Sequence, residues 1–212
     1  MTVFKNVRDK VSRLLGERGQ EETPVLPVYM HPIEYSQVIA VIETLRPAHV
    51  LEWGSGGSTR ALLEHCPWIE SYDSLEHHQL WYERVKELVQ DDRLSLHHRG
   101  PLVPEPDLPP KTKGKREIIN AWMLRCELEP EILQEYIDLP KSFGKTYDFV
   151  LVDGRARISC LRVGYELLRP GGILMIHDAQ REEYQETMDD LGDFVRLEPW
   201  EQGQISFLRK PD

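Results

Sequence analysis

Val50-Leu51-Glu52-Trp53-Gly54-Ser55-Gly56-Gly57-Ser58-Thr59-Arg60 opens as an apolar strand and breaks into a glycine-rich turn. It then runs into Ala61-Leu62-Leu63-Glu64-His65, which reads as a helix. Glycine has no Cβ, so such a turn can take positive φ and let a ligand approach the backbone. Ser58 or Thr59 is placed to cap the new helix. Strand, glycine turn and helix N-terminus together make a crevice for a nucleotide-like ligand.

The flanking sequence repeats this rhythm. Residues 49–52, 68–75, 93–98, 147–152 and 172–176 read as strands. Between them, residues 61–65, 79–89 and 158–168 carry apolar side chains at helical spacing, as do residues 33–45 ahead of the first strand. Alternating strands and helices predict parallel pairing with right-handed crossovers. After a short helix at 181–191, residues 194–199 and 204–209 are extended pieces joined by Trp200-Glu201-Gln202-Gly203, which predicts a terminal antiparallel pair. The expected fold is a doubly wound α/β domain at residues 30–212, built on a mostly parallel seven-stranded sheet with an antiparallel last strand. Residues 1–29 read as an amphipathic helix at 3–15 and a proline-bearing linker, and that helix suits packing on the domain or in a homodimer. Residues 100–144 interrupt the rhythm with a Pro- and Lys-rich run, then helices near 117–128 and 131–137. They read as an insertion beside the crevice.

Composition narrows the function classes. A net charge of −10 argues against a nucleic-acid-coating protein, which needs a basic face. No apolar run approaches the roughly 20 residues of a membrane span, so no membrane partner is expected. Cys66, Cys126 and Cys160 are odd in number and have no CxxC spacing, which suits reduced thiols and a cytoplasmic location.

The strand ends carry the chemistry, because ligands of open parallel sheets bind there. They are Glu52 with its turn, Glu76-His77-His78, His98-Arg99, Asp153-Gly154 and His177-Asp178. Glu76 follows the turn by just over twenty residues, the distance at which an acid can bind ribose hydroxyls. A dinucleotide fingerprint is G-x-G-x-x-G; here the pattern is Gly54-x-Gly56-Gly57 with Thr59 in place of the third glycine, and Glu52 would repel a pyrophosphate.

Val50-Leu51-Glu52-Trp53-Gly54-Ser55-Gly56 resembles the E/D-x-G-x-G motif of class I S-adenosylmethionine-dependent methyltransferases. Glu76 matches that family's ribose-binding acid, and Leu168-Arg169-Pro170-Gly171-Gly172 its L-x-P-G-G element. The resemblance implies the Rossmann-like methyltransferase fold and S-adenosyl-L-methionine as cofactor. It implies cofactor contacts from Glu52, Gly54, Ser55, Gly56, Gly57, Ser58, Glu76, Arg99 (or its neighbours His98 and Gly100) and Asp153. Methyl transfer to an oxygen of a small molecule or sugar follows, with His177 as general base and Asp153 and Asp178 as the other catalytic candidates. A Rossmann-like protein that binds a nucleoside-type ligand without this chemistry is the alternative. Catechol-type members hold a divalent cation with an Asp after strand four and an Asp-Asn pair after strand five. Asp153 and Asp178 match two of these ligands, and with His177 and water they could still hold a divalent metal, but Ala179 stands in place of the Asn, so the metal-free reading is preferred and no metal ligand is assigned.

Overall fold

The computed structural model describes residues 26–197 and 204–212; the expected helix at 3–15, most of the linker, and the junction 198–203 lie outside these residues. Helix α1 (Pro32–Leu45) comes first. Pro32 occupies its first turn, and a capping box joins His31 and Glu34: Glu34 Oε2 accepts from His31 N at 2.8 Å. Arg46, at φ 47°, ends it ahead of Pro47.

Strand β1 (His49–Trp53) leads through the glycine turn into α2 (Gly57–His65), β2 (Ser71–Glu76), α3 (Gln79–Leu88) and β3 (Leu94–His98). Then follow α4 (Lys115–Leu128), a 3₁₀ turn (Pro130–Leu133), α5 (Gln134–Asp138), a second 3₁₀ turn (Leu139–Phe143) and β4 (Tyr147–Val152). The chain closes with α6 (Arg157–Leu167), β5 (Leu168–Ile176), α7 (Glu182–Leu191), β6 (Val195–Arg196) and β7 (Ser206–Arg209).

The seven strands form one sheet in the order β3-β2-β1-β4-β5-β7-β6. β1 through β5 pair in parallel, and β7 runs antiparallel to both β5 and β6. The order reverses between β1 and β4. Neighbouring crossovers leave on opposite faces there, so a crevice opens at the carboxyl ends of these two strands.

Period-two alternation sends successive side chains to opposite faces. Leu51, Trp53, Val150, Val152, Leu174 and Ile176 join one core with Trp122 and Tyr136. Val50, Phe149, Leu151, Ile173 and Met175 join the other with Val38, Ile42, Leu62 and Val85. Within residues 100–144, α4 and α5 put Trp122, Cys126, Tyr136 and Ile137 into the first core, so they serve as the β3-to-β4 crossover layer.

The starts of two strands differ most from expectation, and the last two strands are shorter than expected. β2 begins at Ser71 because Cys66–Ile69 is a turn, closed by Ile69 N donating to Cys66 O at 3.1 Å; Trp68 instead lies under the Arg46 guanidinium. β5 begins at Leu168, and a register shift between Tyr147 and Phe149 absorbs the Arg169–Gly172 stretch, where Gly171 takes φ 73°.

Candidate active site

The glycine turn is pinned from below. Gly54 N and Ser55 N both donate to Leu75 O, at 2.9 and 3.3 Å, which ties the turn to β2. Trp81 of α3 donates its indole N–H to Ser55 O at 2.5 Å. Gly56 is the cap residue of α2, and its N–H donates to Thr59 Oγ1 at 2.8 Å.

Glu52 corrects the expectation for this stretch. It is fully buried behind the turn and does not line the cavity. The hydroxyls of Ser58, Thr59 and Ser74 donate to its carboxylate at 2.8, 2.5 and 2.7 Å. Ser58 therefore gives its proton to Glu52 and does not cap the helix. A carboxylate on the last turns of a buried strand faces the sheet's own layer, and here that layer supplies all its donors.

Burial pushes the Glu52 carboxyl up to about 7, against the lowering effect of the three hydroxyls. The folded-state value lies above the ordinary 4.5, so Glu52 contributes stability below pH 4.5 that is lost as pH rises through 7. The Glu52→Gln protein lacks this titration. Its unfolding free energy gains on the native chain between pH 5 and pH 8 by up to about 3 kcal/mol, as urea denaturation at the two pH values would read.

Past the turn lies a cavity of about 610 Å³, within the range of small-molecule sites. Gly54, Ser55, Gly56, Gly57 and Ser58 form one wall, and Glu76 and Trp81 another. Glu76 ends β2 with 3% of its surface exposed; it accepts from His78 N at 2.7 Å and sits 3.0 Å from His77 Nδ1. A second cavity of about 560 Å³ adjoins the first, with His77, His78 and Glu105 on both. Of the three candidates after β3, His98 and Gly100 line it. Arg99 does not: its side chain donates to His98 O and turns outward toward Glu135, 3.8 Å away. Successive residues leaving a strand point to opposite sides, and Arg99 falls on the solvent side.

The third wall comes from the ends of β4 and β5. Asp153 and His177 stand on neighbouring parallel strands, and His177 Nδ1 lies 2.9 Å from Asp153 Oδ1. Burial alone would raise the Asp153 carboxyl; His177, Arg157 and Arg155 outweigh it and hold the group below the usual range. An ionised carboxylate only accepts, so the shared proton belongs to Nδ1 of the ring. Burial lowers the His177 imidazole, but the Asp153 hydrogen bond and the charges of Asp153 and Asp178 prevail over Arg157 and raise it above 6.5.

Arg157 is the residue that sequence reasoning underrates. In the sequence Arg157 reads equally as a binder of an acidic substrate group or as a solvated helix start, yet it is 4% exposed and lies between the two aspartates. Its Nε donates to Gly154 O at 3.0 Å. Nη1 donates to His177 O and to Asp178 Oδ2, the latter at 3.3 Å. Nη2 donates to Asp153 O at 2.9 Å and Asp153 Oδ1 at 3.1 Å. These contacts use all five guanidinium N–H groups. Asp178, at φ 59°, also accepts from Arg181 at 2.6 Å.

This arrangement does not fit a divalent cation. The space between Asp153 and Asp178 holds an internal cation that already satisfies both carboxylates. Among the described residues, no group of three or more His, Cys, Asp or Glu is arranged to hold a metal.

The fourth wall reads in the sequence only as linker and helix: Pro27 to Met30, and Glu34 of α1. Pro27 and Val28 pack so closely on Gly57 that a Cβ there would strike their backbone. The capping-box pattern around Pro32 marks Glu34 as a helix-start residue; nothing in it tells that the side chain reaches His177.

No protein-family model and no curated protein matches the sequence. Solved structures do match in fold. A methyltransferase-like protein from Silicibacter pomeroyi is 19% identical over 88% of this chain and 91% of its own, with a TM-score of 0.57. A Staphylococcus aureus protein provisionally described as a caffeoyl-CoA O-methyltransferase is 10% identical over 99% and 93%, with a TM-score of 0.60. A Thermus thermophilus 16S rRNA methyltransferase, solved with S-adenosylmethionine and guanosine, is 14% identical over 90% of this chain and 44% of its own, with a TM-score of 0.55. The strand order, the glycine turn at the β1/β4 switch and these likenesses agree: the chain has the Rossmann-like fold of class I S-adenosylmethionine-dependent methyltransferases.

Proposed function

We propose that this chain transfers a methyl group from S-adenosylmethionine to an oxygen of a small molecule or sugar. The observation that carries the reading is the Asp153–His177 pair, set on the same cavity as the glycine turn and Glu76. When bound, the cofactor supplies a methyl group on a cationic sulfur that leaves as a neutral thioether. Glu76 offers a buried carboxylate to two ribose hydroxyls. Gly54 to Gly57 let the ligand lie against the backbone. Asp153 fixes the imidazole with its proton on Nδ1, so Nε2 can take the acceptor's hydroxyl proton as that oxygen attacks the methyl carbon. Arg157 holds the ends of β4 and β5 together, which keeps Asp153 and His177 in register.

A small acceptor suits the cavity volume, and the net charge of −10 disfavours a nucleic-acid one. A cytoplasmic location belongs to the same reading, because Cys66, Cys126 and Cys160 are free and buried. Among the described residues no helix is long and apolar enough to cross a membrane.

Calorimetry tests the cofactor: S-adenosylhomocysteine binds and NAD does not, and binding of NAD alone overturns the reading. The base is tested by pH. His177 must be deprotonated to act, and its folded value lies above 6.5, so kcat/KM falls as pH drops through a midpoint above the ordinary histidine value. Asp153→Asn moves that midpoint downward, because it removes the carboxylate that raises the ring. His177→Gln lowers kcat by about 10² to 10⁴ while S-adenosylhomocysteine affinity changes little.

A further inference from the structure

His177 Nε2 and Glu34 Oε1 are both buried, and among the described residues neither has a hydrogen-bond partner; both side chains line the cavity of about 610 Å³. Glu34 is 1% exposed and His177 is 7% exposed. Glu34 Oε2, already accepting from His31 N, lies 3.7 Å from His177 Nε2. That separation is too long for a hydrogen bond between them. With the ring proton on Nδ1 toward Asp153, Nε2 carries a lone pair. With the ring neutral, as the base must be to act, two acceptors therefore sit side by side, and neither can satisfy the other. A buried carboxylate oxygen without a donor is costly, and the cost is relieved only by a group that brings donors to it.

We infer that Glu34 and His177 form one acceptor subsite for a ligand with two adjacent hydroxyl donors, the vicinal diol of a polyol, sugar or catechol. This rests on the methyl-transfer reading. The reacting hydroxyl donates to His177 Nε2, and its neighbour donates to Glu34. Glu34 Oε2 lies 3.7 Å from His177 Nε2, a spacing that donors on adjoining carbons of a single ligand can span. Glu34 thus sets specificity through the hydroxyl that does not react. Its place at the start of α1 puts that choice outside the sheet that carries the base. Three arginine cations line this cavity: Arg157 is saturated by Asp153, Asp178 and three carbonyls, Arg181 is engaged by Asp178, and Arg155, whose buried Nε is unpartnered, makes no hydrogen bond to Glu34, so among the described residues Glu34 Oε1 has no donor.

The test uses full-length protein loaded with S-adenosylhomocysteine and labelled with ¹⁵N in its histidine rings. The probes are three matched pairs: cis-1,2-cyclohexanediol against cyclohexanol, catechol against phenol, and methyl α-D-mannopyranoside against its 2-deoxy counterpart. At least one diol shifts the His177 Nε2 resonance with an apparent affinity tenfold or more above that of its single-hydroxyl partner. Glu34→Gln keeps the capping box, since Gln also serves at that helix position, and so leaves the fold and S-adenosylhomocysteine binding in place. It presents an amide N–H to a donor and reduces the preference to less than twofold. The inference is overturned if both members of every pair bind alike, if the preference survives in Glu34→Gln, or if no probe perturbs His177, which would mean the pair holds only water. Failure of the wild-type protein to bind S-adenosylhomocysteine would instead overturn the methyl-transfer reading, so the two failures are distinguishable.

Discussion

Gly54→Ala is expected to abolish cofactor binding and to cost about 3–5 kcal/mol of stability, the sum of left-handed strain and overpacking. Gly54 holds φ 103°, where side chains are strained. A Cβ there would lie 2.6 Å from Gly154 N and 2.8 Å from Asp153 C. Those atoms are backbone, so no rotamer change relieves the contact. The turn and the end of β4 must separate, and Asp153 moves with β4. One methyl group should therefore damage both the glycine turn proposed to receive the cofactor and Asp153, the partner of the proposed base. Gly144→Ala is the control: Gly144 too has positive φ, 64°, but a Cβ added there would meet nothing within 4 Å. It should lose only about 1 kcal/mol. Urea denaturation of both variants, with S-adenosylhomocysteine calorimetry, checks the contrast; equal losses would show that packing at the switch point is not the cause.

Arg157→Leu should be the most damaging single charge change. It leaves Asp153 and Asp178 as buried carboxylates without their shared cation, and three carbonyls without a donor. Breaking a buried ionic pair from one side costs about 3–5 kcal/mol. Arg157→Lys recovers little, because an ammonium has three donors where five acceptors wait. Arg157 also lowers the His177 imidazole. Whatever activity survives in the variant should therefore show its acidic limb at higher pH than the native chain. Mn²⁺ or EDTA should leave the native chain's Tm unchanged, since the guanidinium holds the space between the aspartates. A Tm rise with Mn²⁺ in the native protein would contradict that assignment. Thermal denaturation and pH-rate profiles supply both readings.

Much of the cavity is legible in residue order. Gly54 to Ser58, Glu76, Asp153, His177 and Asp178 can be found because each closes an apolar strand, and parallel strands bring their carboxyl ends to one edge. Three residues are not legible in the same way. Glu52 sits at such an end, yet its direction depends on Ser58, Thr59 and Ser74 being near enough to satisfy it. Arg99 follows β3, and it turns to the solvent side, where it lies 3.8 Å from Glu135 of the crossover, because successive residues leaving the strand alternate in direction. Arg157 opens a helix, and only the approach of β5 encloses it.

The sequence by itself determined the doubly wound sheet, the place of the antiparallel last strand and the edge on which ligand groups gather. Those follow from local periodicity, glycine and proline positions, and the right-handed crossover, all written in neighbouring residues. Only the tertiary structure decided which charges face the cavity and which are consumed inside the wall. Pairing of Arg157 with two aspartates, burial of Glu52 under its own turn, and the meeting of Glu34 with His177 join residues far apart in the chain. A side chain's charge can be read from its letter, but its role depends on what desolvates it and what donates to it, and both are set by packing.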